Sequence, residues 1–393
     1  MKIALTGRII YLESGRQNAD YMQATARNTV SPHDTEKATD SGIDLRLPQS
    51  SILTEEGKAE FAGIVKHNVY FLITEYISRM ESDPERLKML MEYPSRQGHY
   101  RRPLMCVTTA LAFGAKPARE LYLLAAALQL AEDFILMLDD RQDGSATRRG
   151  KKTFDKLYGV SNTENVAMML QIVMQDMMHD ALKGLDRGRA DAIWEKFKDV
   201  ANLTFAGQTE ENNFSEFSKD LSSIDCRLPY RVAMNKTAAY TVYGPLQFGA
   251  IYAGKDGEIN YALERVGKPI GVAFQLMDDA NDIKNKRYDD IRNSKPTLMM
   301  IRANQMATDE ERAMLRTIWQ KEDKTAEEMD YVLDLLRKYD AIKFSDDIAE
   351  RFAHMAEMKF MENKHLIPTN DYAYMLMKVL REQYRKEVKS GDS

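Results

Sequence analysis

After residue 15, no stretch of this 393-residue chain alternates apolar and polar side chains as a half-buried strand does. Helical spacing recurs instead. It begins behind Thr54, in EEGKAEFAGIVKHNVYFLITEYISRM, where Phe61, Ile64, Val65, Phe71, Leu72 and Ile73 return at roughly helical intervals after an acidic start. Further helical segments are predicted at 85–92, 102–113, 117–143, 162–183, 190–222, 230–253, 257–285, 295–304, 308–319, 325–338, 344–362 and 370–388. Helix breakers are scarce: 20 glycines and 11 prolines make 31, about 8% against roughly 12% in an average chain. No repeat of 20–50 residues is present. These features predict a single all-α domain over 56–390. Residues 1–55 precede it as a poorly structured extension, because TVSPHDTEKATDSGIDLRLPQSS lacks periodicity and reads as loop.

Charge and composition exclude several functions. The net charge of −5 offers no basic field for nucleic acid. Two cysteines, Cys106 and Cys226, rule out a disulfide scaffold and fit a reducing compartment. Six scattered histidines give no zinc spacing. The longest apolar run, LYLLAAALQLA, is about half a membrane-spanning length. The start, MKIALTGRIIYL, is broken by Arg8 and lacks a cleavage site, so a cytoplasmic protein without a transmembrane segment is expected.

The chemistry lies in two acidic knots. In LDDRQDGSATRRGKKTF, Asp139 and Asp143 stand four apart on one helical face with Asp140 beside them, and Gly144 ends the helix. Carboxylates crowded at a helix carboxyl end oppose the macrodipole, so the arrangement calls for a cation. Mg²⁺ suits such ligands, because it takes one or two carboxylates and completes its shell with water and phosphate oxygens. Arg148, Arg149, Lys151 and Lys152 follow as phosphate partners. A lone acidic pair is usually a solvated face. Here AEDFILMLDD is apolar up to the pair, and the pattern returns 139 residues later in AFQLMDDANDIKNKRYDDIRNSKPT. There Asp278, Asp279 and Asp282 again close an apolar helix, with Lys284, Lys286, Arg287 and Lys295 behind. Two such helices could clamp a metal–diphosphate cluster between them.

With GHYRRP, DDRQDGSATRRGK, GQTEEN, NKTAAYTVYGPLQFGA, FQLMDDANDI and DIRNSKPTL in this order, the chain resembles the trans-isoprenyl diphosphate synthases, or polyprenyl synthetases. The resemblance runs from about residue 90 to about residue 300. It implies an isoprenoid synthase-type helical bundle around a central cavity, usually a homodimer. It also implies Mg²⁺-dependent joining of isopentenyl diphosphate to an allylic diphosphate. By the same resemblance, Asp139 and Asp143 bind two Mg²⁺ ions and Asp278 a third, supported by Asp140, Asp279 and Asp282. Arg148 and Lys236, helped by Lys286, hold the allylic diphosphate. Arg102 and Arg149 hold isopentenyl diphosphate. Thr237 and Gln208 line the site near the forming cation, Gln275 lies near the second substrate, and Lys295 matches a lysine after the second motif.

Three positions depart from the family pattern. His99 replaces a lysine, Glu132 replaces His or Gln seven residues before the first aspartate, and Leu138 replaces a frequent histidine. His99 and Glu132 fall where the second substrate's diphosphate should bind, and a carboxylate there is repulsive unless neutralised, for example by Arg101 or Arg102. A class I terpene cyclase on the same scaffold is therefore an alternative to the chain-elongating synthase. A regulatory subunit is disfavoured because both aspartate motifs are intact. For product length, the resemblance gives a cavity-floor role to the aromatic five residues before the first aspartate, Phe134. With Ile135 in place of a second ring, a short-chain C20 product is expected, with C15 as the alternative. Helix geometry argues otherwise at this position. Phe134 lies about 7.5 Å along the axis and is turned about 140° from the Asp139 face, whereas Glu132 and Ile135 lie close to that face.

Overall fold

A computed structural model describes residues 2–5, 8–11, 42–255 and 257–385. The chain divides into two units, Met1–Gly42 and Ile43–Ser393. In the first, β1 (Lys2–Leu5) pairs antiparallel with β2 (Arg8–Tyr11). The loop expected through most of the extension falls on 12–41, outside the described residues. The extension does not reach 55. Ile43 and Ile52 are buried in the main core, and Asp44 and Asn68 exchange two hydrogen bonds of 2.7 and 2.6 Å. The helical unit therefore begins directly after Gly42.

Its helices in chain order are α1 (Glu55–Met80), α2 (Pro84–Ser95), α3 (Arg101–Ala112) and α4 (Arg119–Gln142). A short hairpin, β3 (Thr147–Arg148) and β4 (Lys151–Lys152), comes next, then α5 (Phe154–Tyr158), α6 (Val160–Lys183) and α7 (Arg187–Asn212). The chain continues with α8 (Leu228–Val232), α9 (Gly244–Tyr252), α10 (Glu258–Lys284) and α11 (Asp289–Arg292). It ends with α12 (Leu298–Met306), α13 (Asp309–Trp319), α14 (Ala326–Lys338), α15 (Ala341–Glu362) and α16 (Asp371–Arg385). Starts are set by side-chain caps. Thr54 Oγ1 accepts from the Gly57 N–H at 3.0 Å, Asp83 and Asp186 cap α2 and α7, and Thr308 and Thr325 form capping boxes with Glu311 and Glu328.

Helix α4 is apolar on every side, with Leu121 to Leu130 buried without a break. A helix of that kind belongs in the middle of a bundle. It packs along α6, with α1 and α3 on its other sides. By length and composition it could cross a membrane, but 72% of its most apolar window is buried inside the fold. The second long core helix, α10, packs against α15 and against the segment Ala233–Tyr243. Apolar spacing predicts that segment to be part of one α-helix over 230–253. It is π-helical, and so is Asn213–Ser218 at the end of α7. Lys236 and Thr237 of Ala233–Tyr243 line a cavity shared with α4 and α10. Two glycines allow the close approach: a Cβ on Gly207 would sit 2.6 Å from the Lys236 backbone nitrogen, and one on Gly271 would sit 2.2 Å from Ala238 Cβ.

Candidate active site

The carboxyl ends of α4 and α10 open onto one cavity of about 510 Å³. Asp139, Asp143, Asp278, Asp279 and Asp282 all line it, so both acidic knots face the same space. A second cavity, about 640 Å³, lies between the end of α15 and α16 and contains neither knot.

Asp139 and Asp143 are one turn apart, the Asp143 N–H reaching the Asp139 carbonyl at 2.8 Å, and Gly144 (φ +62°) turns the chain away. Both carboxylates hold a lysine. Lys236 Nζ lies 3.0 Å from Asp139 Oδ1 and 2.6 Å from Glu211 Oε2. Lys295 Nζ lies 2.6 Å from Asp143 Oδ2 and 3.8 Å from Asp290 Oδ1. Burial raises the Asp139 carboxyl, but Lys236 and Lys295 outweigh it and hold the group below the ordinary range. Burial wins at Asp143 and Asp279 and pushes both upward. Both lysines stay protonated, because the surrounding carboxylates overcome their burial.

This donor chemistry fits Mg²⁺. The ligands are hard oxygens on two opposed helix ends, with lysines occupying the place of a cation. Among the described residues no three or more such side chains converge on one point. Mg²⁺ does not require that, since substrate phosphates and waters complete its shell.

The hairpin between β3 and β4 turns through Arg149 (φ +52°) and Gly150 (φ +76°), the backbone signature of a type I′ turn. Arg96 clamps it, donating to the Arg148 and Lys152 carbonyls at 3.1 and 2.7 Å. Arg148 lines the cavity and Asp140 fixes it there. Arg148 Nε donates to Asp140 Oδ1 at 2.9 Å, Arg148 Nη2 pairs with the same carboxylate, and Tyr93 Oη donates to Asp140 Oδ2 at 2.6 Å. Asp140 is completely buried and absent from the cavity wall, so it orients an arginine instead of facing a metal with Asp139 and Asp143. Lys151 and Lys152 are exposed and off the wall.

His99, Arg102, Glu132 and Arg149 line the same cavity, with Arg102 buried and His99 and Arg149 exposed. Arg102 Nη1 is 2.7 Å from Glu132 Oε2, its Nη2 donates to Thr241 Oγ1 at 2.7 Å, and its guanidinium lies 4.1 Å over the Tyr240 ring. Arg149 lies 3.8 Å from Glu132 and 3.7 Å from Asp133. On the α10 side, Thr237 Oγ1 donates to Gln275 Oε1, and Gln275 Nε2 donates to Asp279 Oδ1 at 2.7 Å. Lys236, Thr237 and Gln275 thus stand together on the wall.

Besides Asp140, three expected site residues are off the wall. Gln208 bonds instead with Gln142 and Asn212 at 2.9 and 3.1 Å. Lys286 sits in the left-handed bend after α10. Phe134 is buried in the main core, as its turn away from the Asp139 face implies, but Ile135 also packs against the core and Leu136 lines the cavity in its place. Sequence reasoning missed Glu211, Asp290 and Asp133. Each lies within a stretch already quoted, in GQTEEN, RYDDIRN and AEDFILMLDD.

The family model described as polyprenyl synthetase matches residues 84–336, well over half of the chain. The chain belongs to the polyprenyl synthetase family. It is an enzyme of the trans-prenyltransferase class, whose Mg²⁺-dependent chemistry joins isopentenyl diphosphate to an allylic diphosphate. This synthase is 25% identical over 283 residues to a geranylgeranyl diphosphate synthase of Saccharolobus solfataricus, covering 70% of this chain and 81% of that protein. It is 28% identical over 204 residues to a (2E,6E)-farnesyl diphosphate synthase of Mycobacterium tuberculosis, covering 50% of this chain and 54% of that protein. Its fold is that of the geranylgeranyl pyrophosphate synthase of Corynebacterium glutamicum, with a TM-score of 0.73, 21% identity, and coverage of 82% of this chain and 98% of that one.

Proposed function

We propose that the synthase makes the C20 product geranylgeranyl diphosphate, with C15 farnesyl diphosphate as the alternative. The observation that supports the condensation reading is one cavity that holds both aspartate knots and Arg148, with apolar Leu136, Phe274 and Met277 also in its wall; the C20 length rests on the family resemblance. Asp139 and Asp143 would hold two Mg²⁺ ions and Asp278 a third, with Asp279 and Asp282 beside it. When bound, the ions stabilise the charge that grows on the departing diphosphate. Arg148 and Lys236 grip that diphosphate and do the same work from the protein side. The C1–O bond of the allylic substrate breaks, and its electron pair leaves with the diphosphate. The double bond of isopentenyl diphosphate attacks C1, and a proton then passes from the new chain to the departed diphosphate. Thr237, held by Gln275, faces the reacting carbons. We also place the enzyme in the cytoplasm, where free thiols such as Cys106 and Cys226 persist, and as a homodimer.

The test is a product assay. Purified protein with Mg²⁺ and isopentenyl diphosphate is given C5, C10 or C15 allylic diphosphate, and the products are extracted and sized. C20 product from every primer supports the reading, and product that stops at C15 replaces it with the alternative. One observation favours a second reading, a class I cyclase: Glu132 already occupies Arg102 and Arg149. Cyclic hydrocarbon released without isopentenyl diphosphate would establish it.

A further inference from the structure

The part of the cavity wall built by Arg102, Glu132 and Arg149 carries an arrangement that a diphosphate site does not need. Arg102 is almost wholly buried and its guanidinium is engaged on three sides, by Glu132, Thr241 and the Tyr240 face. Its remaining donor, Nε, is buried without a hydrogen-bond partner. Arg149 is wedged between Glu132 and Asp133, and Gly98 leaves room for it: a Cβ there would lie 2.4 Å from Arg149 Nη2. Two arginines that could bind an anion are thus matched by two carboxylates of the same helix.

We propose that Glu132 and Asp133 are built-in counter-anions of the second diphosphate site, so that isopentenyl diphosphate binds in competition with them and brings a proton in from solvent. This rests on the reading that isopentenyl diphosphate is the second substrate. An incoming diphosphate meets a patch whose arginine charge is already spent, and with both carboxylates ionised it binds against their repulsion. Protonating one carboxylate removes a negative charge and frees an arginine. The proton goes to Asp133, whose carboxyl is pushed up to about 7, first by burial and then by Glu132, against Arg149, Gln129 and Arg102. Of the surrounding titratable groups, Tyr100, ahead of α3, faces the pair, Lys66 of α1 neighbours Arg149, Tyr70 of α1 neighbours Tyr100, and His99 lines the same cavity. Burial and then Arg149 lower Lys66, and burial raises Tyr70 and Tyr100, so Asp133 is the group whose upward shift reaches neutral pH. The sign follows: below pH 7 Asp133 is protonated and the diphosphate binds well, and above it affinity falls.

Binding and turnover are measured separately. Isopentenyl diphosphate with Mg²⁺ and no allylic primer is titrated calorimetrically into the full chain from pH 6 to pH 8.5. The wild-type dissociation constant is expected to rise roughly tenfold over that range. Glu132→Gln should tighten binding roughly tenfold at pH 8. Asp133→Asn should flatten the pH dependence, leaving only the slope from the substrate's own ionisation. Both replacements are isosteric, and circular dichroism checks that they fold. In steady state, the shift should fall on the KM of isopentenyl diphosphate and leave the KM of the allylic primer where it was. Weaker or unchanged binding in Glu132→Gln overturns the proposal, as does a pH slope that Asp133→Asn leaves intact. If Glu132→Gln gains affinity while neither protein incorporates isopentenyl diphosphate, the proposal stands and the condensation reading fails.

Discussion

Asp139 and Asp278 carry the clearest expectations at the scale of single residues. Each faces the cavity from a different helix, and each meets charge that exists fully only in the transition state. Asp139→Ala and Asp278→Ala should each lower kcat/KM by several orders of magnitude, read in a turnover assay. Neither should unfold the protein. Lys236 still pairs with Glu211 at 2.6 Å when Asp139 is removed, so no buried cation is left alone. Near-normal turnover in either variant would remove the metal clamp from the mechanism. The aspartates were legible in the sequence because their spacing fixes their face. The role of Asp140 was not, since adjacent residues differ by about 100° on a helix and only the fold reveals Tyr93 and Arg148 waiting on the other side. Glu211 and Asp290 stayed hidden for a related reason: their partners, Lys236 and Lys295, are distant or separated from them by a bend.

Among the elements, α4 and α10 were predicted at 117–143 and 257–285 and are found at Arg119–Gln142 and Glu258–Lys284. Long apolar runs closed by acidic knots leave little freedom in such boundaries. The π-helical winding of Ala233–Tyr243 was not legible, because no residue type in AMNKTAAYTVY specifies i→i+5 over i→i+4 bonding. It has a consequence at Gly271, where α10 touches Ala238. Gly271→Ala forces these elements apart and should cost about 2 kcal/mol in urea unfolding, together with a fall in kcat as Lys236 and Thr237 shift. Helix α4 also sets the test of product length. Phe134→Ala should lose about 3 kcal/mol, because the ring is core. If the family role holds, its products lengthen by one or more C5 units. If chromatography shows unchanged chains in that variant and longer ones in Ile135→Ala, helix geometry decides the floor.

For the whole molecule, the all-α class followed from scarce breakers and unbroken helical spacing, but assembly needed the exposed faces. On α6, Val160, Met168 and Ile172 are exposed and share one face by their four- and eight-residue spacing. Such a stripe suits a second copy of the chain, and light scattering should report a dimer. Met168→Asp combined with Ile172→Asp should shift it to the mass of one chain. A retained dimer would place the interface elsewhere. Helix α4 has a further consequence, in the time before the fold exists. It ends at residue 142, and the helix it packs along, α6, ends at residue 183, 41 residues later. At about 5–20 residues per second, a nascent chain displays this membrane-like helix for roughly 2–8 s before its partner is made. During synthesis the chain is therefore exposed to mistaken insertion and aggregation through the helix that carries the first metal-binding knot.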